Sequence, residues 1–336
     1  MFDTIHDIKQ AALKQISPDQ QAIELATERQ AQLTKPQGSL GKLEEIAIWL
    51  AGWQRTEKPK LNKVDTLIFA GNHGVAARGV SLFPAEVTVQ MVGNFEAGGA
   101  AINQLCQQNG ANLKVVAIDL DKPTADFTTE AAMSENEFLA AVNIGADAVS
   151  NDADMITLGE MGIANTTSAS AICLALFGGT AEDWTGRGTG LADDAVSKKS
   201  QIIAEAIELH SEFKNDPIEI LRRLGGRELA AIFGATLAAR AKNIPVLLDG
   251  FICCAAVAPL FALNKSALNI AVAGHQSQEQ AHVKLLQALE LDPLLKMDMR
   301  LGEGSGAAVA LNIVRAAVAT HNGMATFAEA AVSTKD

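Results

Sequence analysis

Apolar positions along this chain recur with two periods, and the change from one to the other divides it. Over about 5–32 they fall at helical spacing, with Ser17-Pro18 as a break, since proline suits a helical first turn but not its interior. A second helix is expected after Gly38-Ser39, where Leu40, Leu43, Ile46, Ala47 and Leu50 share a face. The pattern then becomes a short apolar and β-branched run over 64–70, closed by Gly71-Asn72-His73-Gly74, which reads as a buried strand and its turn. Four similar runs follow at 113–118, 155–158, 245–248 and 268–272. Alanine-rich helical stretches lie between them, at 85–109, 134–151, 165–177, 196–213 and 228–241. Strands that alternate with helices imply an α/β fold with a mostly parallel sheet flanked by helices. Ligands in such folds bind outside the carboxyl ends of the strands. Polar, glycine-rich clusters stand there after the first run (71–81), the third (159–162) and the fourth (Asp249-Gly250). The organisation expected is an α/β domain over 60–291 carrying the active site. A smaller helical unit, from 1–59 and a helical tail at 292–336, would accompany it.

Composition narrows the classes of function. Acidic side chains number 39 against 27 basic ones, which argues against a nucleic-acid or membrane surface, because phosphate binding needs clustered Lys and Arg. Cys106, Cys173, Cys253 and Cys254 form no CxxC pair, so neither a zinc ribbon nor a thioredoxin-type site is indicated. The first 32 residues are polar and charged, and no apolar run reaches the roughly 20 residues a bilayer span needs. A cytoplasmic protein is expected.

The stretch Arg300-Leu301-Gly302-Glu303-Gly304-Ser305-Gly306 sets one carboxylate among glycines, where the backbone can turn tightly and a small molecule can approach. Glu303 is therefore a candidate general base, or a solvated residue of a turn before a helix. A second candidate is Thr157 to Ser168, a strand that runs through Gly159-Glu160-Met161-Gly162 into Asn165, Thr166 and Thr167 at a helix start. Free backbone N–H groups and several hydroxyls around one point suit a phosphate. Gly186 to Gly190, followed by Lys198 and Lys199, is a further glycine-rich loop that could complete an anion site. His275, Glu279 and His282 fall at i, i+4 and i+7, one face of a helix, a spacing open to a metal site or to a pocket-lining helix. His73, between glycines at a strand end, is open to a ligand, base or structural role. Gly302-x-Gly304-x-x-Ala307 matches a dinucleotide fingerprint in form, but no convincing strand precedes it and no acidic residue follows at about 20 positions.

Several of these motifs occur together and in order over nearly the whole chain. They are 34–41 (TKPQGSLG), 79–84 with Glu86, Thr88 and Gln90, 159–167, 186–190 and 301–306. In that combination the chain resembles the nicotinate-nucleotide–dimethylbenzimidazole phosphoribosyltransferase family. The resemblance implies a Rossmann-like sheet in a two-domain subunit, a homodimer, and no metal or other cofactor. It implies transfer of a phosphoribosyl group from nicotinate mononucleotide to 5,6-dimethylbenzimidazole or a related base, giving α-ribazole 5′-phosphate and nicotinate in lower-ligand assembly of cobalamin. By the same resemblance Glu303 is the general base, and Ser81, Phe83 and Gln90 line the base pocket. Gly162, Asn165, Thr166 and Thr167, with a lysine at 198 or 199, hold phosphate and ribose. Glu160 and Asp249 lie near the sugar, and Gly188 and Leu301 add contacts. A transferase acting on another base, a silent nucleotide-binding paralogue and a metal-dependent hydrolase using His275, Glu279 and His282 are the competing readings.

Overall fold

The computed structural model describes residues 2–186 and 193–333. Helices α1 (Ile5–Leu13), α2 (Gln20–Gln32) and α3 (Lys42–Gln54) precede strand β1 (Val64–Ala70). Helices α4 (Glu86–Glu96) and α5 (Ala101–Asn109) lead to β2 (Asn112–Ala117), and α6 (Glu135–Ala148) leads to β3 (Met155–Met161). A long helical connection follows: α7 (Asn165–Phe177), α8 (Ala181–Trp184), α9 (Asp193–Leu209), α10 (Pro217–Leu224) and α11 (Arg227–Ala241). It returns to β4 (Val246–Leu248), and α12 (Phe251–Leu263) then leads to β5 (Ala271–Ala273). β6 (His275–Gln276), α13 (Gln280–Ala288), β7 (Leu295–Lys296) and α14 (Ser305–Gly323) complete the order.

The five main strands form one sheet in the order β2-β1-β3-β4-β5, every pair parallel. The α/β expectation holds. Alternate residues of each strand serve opposite cores, as the two-residue period of a strand requires. Leu67 and Phe69 of β1 join the larger core with α6, α7, α11 and α12, whereas Val64 and Ile68 face the other side. There α14 lies along the sheet, with Ala307, Leu311 and Val314 packed against Val64, Met155 and Leu247, and α3 covers it through Ile46 and Leu50. Helices α6 and α11 touch backbone to backbone: a Cβ at Gly234 would fall 2.0 Å from the Val142 carbonyl. Leu33 bridges to Thr326, tying the end of α2 to the segment after α14, while Ile8 and Ala12 of α1 join the larger core.

Three expectations need correction. The stretch 85–109 is two helices, because Gly98 turns left-handed (φ +79°) between them. The fifth strand begins at Ala271, since Lys265–Leu268 is a 3-10 turn. The tail is not helical from 292: β7 and an irregular turn occupy it until α14 starts at Ser305. Neighbours of β1 lie on both sides, β2 on one and β3 on the other, so the strand order reverses between them. That reversal opens a crevice at the carboxyl ends of β1 and β3, the usual ligand position in this architecture.

Candidate active site

A cavity of about 740 Å³ occupies that crevice. Glu160, Met161, Gly162 and Ile163 reach it from the end of β3, Asn165 and Thr166 from the first turn of α7, and Asp249 to Ile252 from the end of β4. Arg300 to Glu303 close another wall, and Phe83, Val87 and Met91 line the side toward α4. The sheet topology therefore brings together 301–303, 160–166 and 249, segments far apart in sequence.

Glu303 is held in a strained turn. It has φ +60°, between Gly302 at +80° and Gly304 at +73°. A left-handed conformation is uncommon for a residue with a Cβ and persists where the surroundings over-determine it. Here Asp249 does so: its Oδ2 accepts from the Gly304 amide at 3.2 Å and its Oδ1 from the Ala307 amide at 2.9 Å. Ser305 closes the turn by donating its hydroxyl to the Gly302 carbonyl at 2.7 Å. Both carboxylate oxygens of Asp249 thus serve the loop that carries Glu303. Gly302 lies against Glu160, where a Cβ would meet Oε1 at 2.6 Å, and Gly306 packs on the His275 ring.

Burial pushes the Glu303 carboxyl up to about 7, and the adjacent Asp249 charge adds to the rise. Glu160 is pushed higher, to about 8, by burial, against the Asn165 amide that favours its ionised form. The Asn165 Nδ2 donates to Glu160 Oε2 at 2.5 Å. Near neutral pH the cavity thus holds a protonated Glu160 beside a Glu303 poised to accept a proton, two acids set apart by their surroundings.

Across the cavity, α7 begins without a side-chain cap, after Ala164 in the left-handed region at φ +76°. An uncapped helix start carries partial positive charge and unsatisfied N–H groups, which suits an anion. Thr88 of α4 braces the approach, its hydroxyl accepting from the Ile163 amide at 3.1 Å. Lys199 is fully buried in α9 and donates to Thr166 Oγ1 at 2.8 Å. Its ammonium is pulled down to about 8 by burial, with Glu279 working against the shift. Lys198 is exposed.

Of the residues expected from the sequence, Phe83, Glu160, Gly162, Asn165, Thr166, Asp249, Leu301 and Glu303 line the cavity, and Lys199 stands behind Thr166. Thr167 is buried beneath the turn. Ser81 and Gln90 are not brought to the lining: Ser81 Oγ accepts from the Phe83 amide, and Gln90 is exposed on α4. Gly188 lies outside the described residues. Sequence reasoning missed Val87 and Met91, although the two lie four residues apart on one face of α4. It also missed Ile163, Ser277 and Arg300 in the lining.

The helical face expected from His275, Glu279 and His282 does not exist. His275 is in β6, Glu279 precedes α13 and only His282 is inside that helix. His282 Nδ1 accepts from the Ser277 amide at 2.9 Å, and burial drives its pKa down to about 3, so it is a neutral structural acceptor. Among the described residues no group of three His, Cys, Asp or Glu side chains could hold a metal ion, and no helix is long and apolar enough to cross a membrane.

A family model described as a phosphoribosyltransferase matches residues 16–332, which sets the class of this fold and cavity. The curated relatives are more specific. The chain is 57% identical over 316 residues to the nicotinate-nucleotide–dimethylbenzimidazole phosphoribosyltransferase of Cereibacter sphaeroides, with 94% of each chain covered. It is 55% identical over 334 residues to the Mesorhizobium japonicum protein of that name, with 99% of each covered. The crystal structure of the corresponding Thermus thermophilus protein superposes with a TM-score of 0.86 at 36% identity, covering 94% of this chain and 100% of that one. The chain belongs to the nicotinate-nucleotide–dimethylbenzimidazole phosphoribosyltransferase family.

Proposed function

We propose that this protein transfers the phosphoribosyl group of nicotinate mononucleotide to 5,6-dimethylbenzimidazole, with Glu303 as the general base. One observation carries the assignment of the base: a strained, buried carboxylate with a raised pKa faces an uncapped helix start across a single cavity. The donor phosphate lies at Gly162, Asn165 and Thr166, with Lys199 holding Thr166 from behind. The flat acceptor lies among Phe83, Val87 and Met91. One ring nitrogen gives its proton to Glu303, and the lone pair of the other attacks the anomeric carbon. The C–N bond to the pyridinium breaks, its electron pair stays on the pyridine nitrogen, and nicotinate leaves without needing a general acid. Positive charge spread over the ribose in the transition state is met by the Asp249 carboxylate, while the protonated Glu160 offers a hydrogen bond near the sugar. Attack on the face opposite the leaving group converts the β-linkage into an α-linkage.

The protein acts as a homodimer, a reading supported by exposed apolar side chains that line the cavity: Phe83 is 51% and Leu301 57% accessible in the single chain. Incubation with nicotinate mononucleotide and 5,6-dimethylbenzimidazole, followed by chromatography, tests the reaction. Release of nicotinate with equimolar α-ribazole 5′-phosphate is expected, and no release with any benzimidazole would overturn the reading. Light scattering tests the dimer, whose mass should be twice the 35.3 kDa of the chain.

A further inference from the structure

Below the cavity, and used by no step above, lies a chain of three buried polar side chains. Ser168 Oγ is 3.0 Å from His73 Nδ1, and His73 Nε2 is 2.5 Å from Glu228 Oε1. Their exposures are 0%, 2% and 0%. The order of groups is that of a serine–histidine–acid triad, but no substrate can reach a serine so enclosed, so nucleophilic chemistry is excluded. An imidazole can donate from one ring nitrogen and accept at the other, so the His73 ring joins the Ser168 hydroxyl to the Glu228 carboxyl in either tautomer.

What the three groups join is informative. His73 is in the loop after β1, Ser168 in the first turn of α7, and Glu228 in the first turn of α11. The glycine at the cavity floor rests on this chain: a Cβ at Gly162 would fall 2.8 Å from Glu228 Oε1 and 2.7 Å from the Gly71 carbonyl. The second carboxylate oxygen, Oε2, is buried without a hydrogen-bond partner among the described residues, and Gly71 and Gly226 press on it, each with a would-be Cβ at 2.6 Å. The turn that begins α7 has no side-chain cap of its own, so its position is set from outside. A buried network with few alternatives holds geometry tightly.

We propose that Ser168, His73 and Glu228 are positioning residues that fix the turn at Gly162 and Asn165 to receive the phosphoribosyl donor. This inference rests on the donor binding at that turn. Displacement of a binding element by about 1 Å is enough to lose on the order of a hundredfold in rate, so a support of this kind governs the donor and leaves the acceptor alone.

Steady-state kinetics with each substrate varied at saturating levels of the other provide the test. Ser168→Ala removes one hydroxyl and leaves the apolar packing in place, and its melting curve checks the fold. It should raise the KM for nicotinate mononucleotide roughly tenfold or more while the KM for the base stays within about twofold. Glu228→Ala should do the same, and Glu228→Gln, which restores an acceptor for His73, should recover most of the loss. A donor KM unchanged in Ser168→Ala, or both KM values moved together, would overturn the positioning role. Failure of the unmodified protein to release nicotinate would instead overturn the donor assignment, and this inference with it.

Discussion

Glu303→Gln should make this protein worse as an enzyme and better as a folded molecule, and the two effects should share one pH dependence. The substitution keeps the shape of the side chain and removes its charge. In the folded protein the Glu303 carboxyl is raised to about 7, against an ordinary value of 4.5. A group whose folded pKa is raised favours the folded state fully below its unfolded pKa, and that advantage is lost as pH rises through the folded one. Between pH 4.5 and 7 the free enzyme therefore becomes less stable on account of this residue. The rise from 4.5 to about 7 corresponds to about 3 kcal/mol, an order-of-magnitude figure for a residue 7% exposed. Spread over a chain of 336 residues, that is a rise in Tm of about 4 °C for the Gln variant at pH 8. At pH 4 the two proteins should melt together. Activity has the opposite sign. The kcat/KM of the parent should climb about tenfold per pH unit below 7 and level off above it, as the base ionises. The variant should lose roughly 10² to 10⁴ in rate and that inflection with it. Calorimetry of the free enzymes across pH, paired with initial rates of nicotinate release, measures both. A Gln variant that retains the inflection, or that melts below the parent at pH 8, would refute the reasoning.

Other perturbations separate the parts of the site. Asp249→Asn removes a charge that raises the Glu303 pKa and an oxygen that holds its loop, so the rate should fall by about tenfold or more and the inflection should move below pH 7, as a pH–rate profile would show. Lys199→Met removes a fully buried cation whose pKa is depressed to about 8. A depressed lysine costs the fold stability as pH falls from 10.5 to about 8, and the cost is complete below that, so at pH 7 the variant should melt no lower than the parent while its KM for nicotinate mononucleotide rises about tenfold or more. Phe83→Ala should raise the KM for the base roughly tenfold, for about 1.5 kcal/mol of lost apolar contact, with the donor KM unchanged.

What could be read from the sequence followed from strong local signals. The run at 64–70 is apolar throughout except for Asp65 and Thr66 and is buried along its length in β1, so both its state and its carboxyl-end turn were legible. Glu160, Asn165 and Thr166 follow a strand directly, and the strand-end rule puts them in the crevice. Features set by three-dimensional contact were not legible. The glycines around Glu303 looked like room for a flat ring, but they lie against Glu160, Gly159 and His275. The helical spacing of His275, Glu279 and His282 misled because β6 pairs with β7 there, a pairing too short to leave a periodic trace. Asp249 was recognisable as a strand-end acid, yet its grip on the Gly304 and Ala307 amides depends on α14 crossing beneath the sheet. Ser81 and Gln90 belong to a matching motif, but the motif does not say which face of α4 meets the cavity.

The central claim is that Glu303 takes the proton of the acceptor base, and a crystal of the enzyme with 5,6-dimethylbenzimidazole bound tests it most directly. One ring nitrogen should lie about 3 Å from the Glu303 carboxylate, with the other turned toward Asn165 and Thr166. A ring seated in the cavity with neither nitrogen within hydrogen-bond reach of Glu303 would contradict the account.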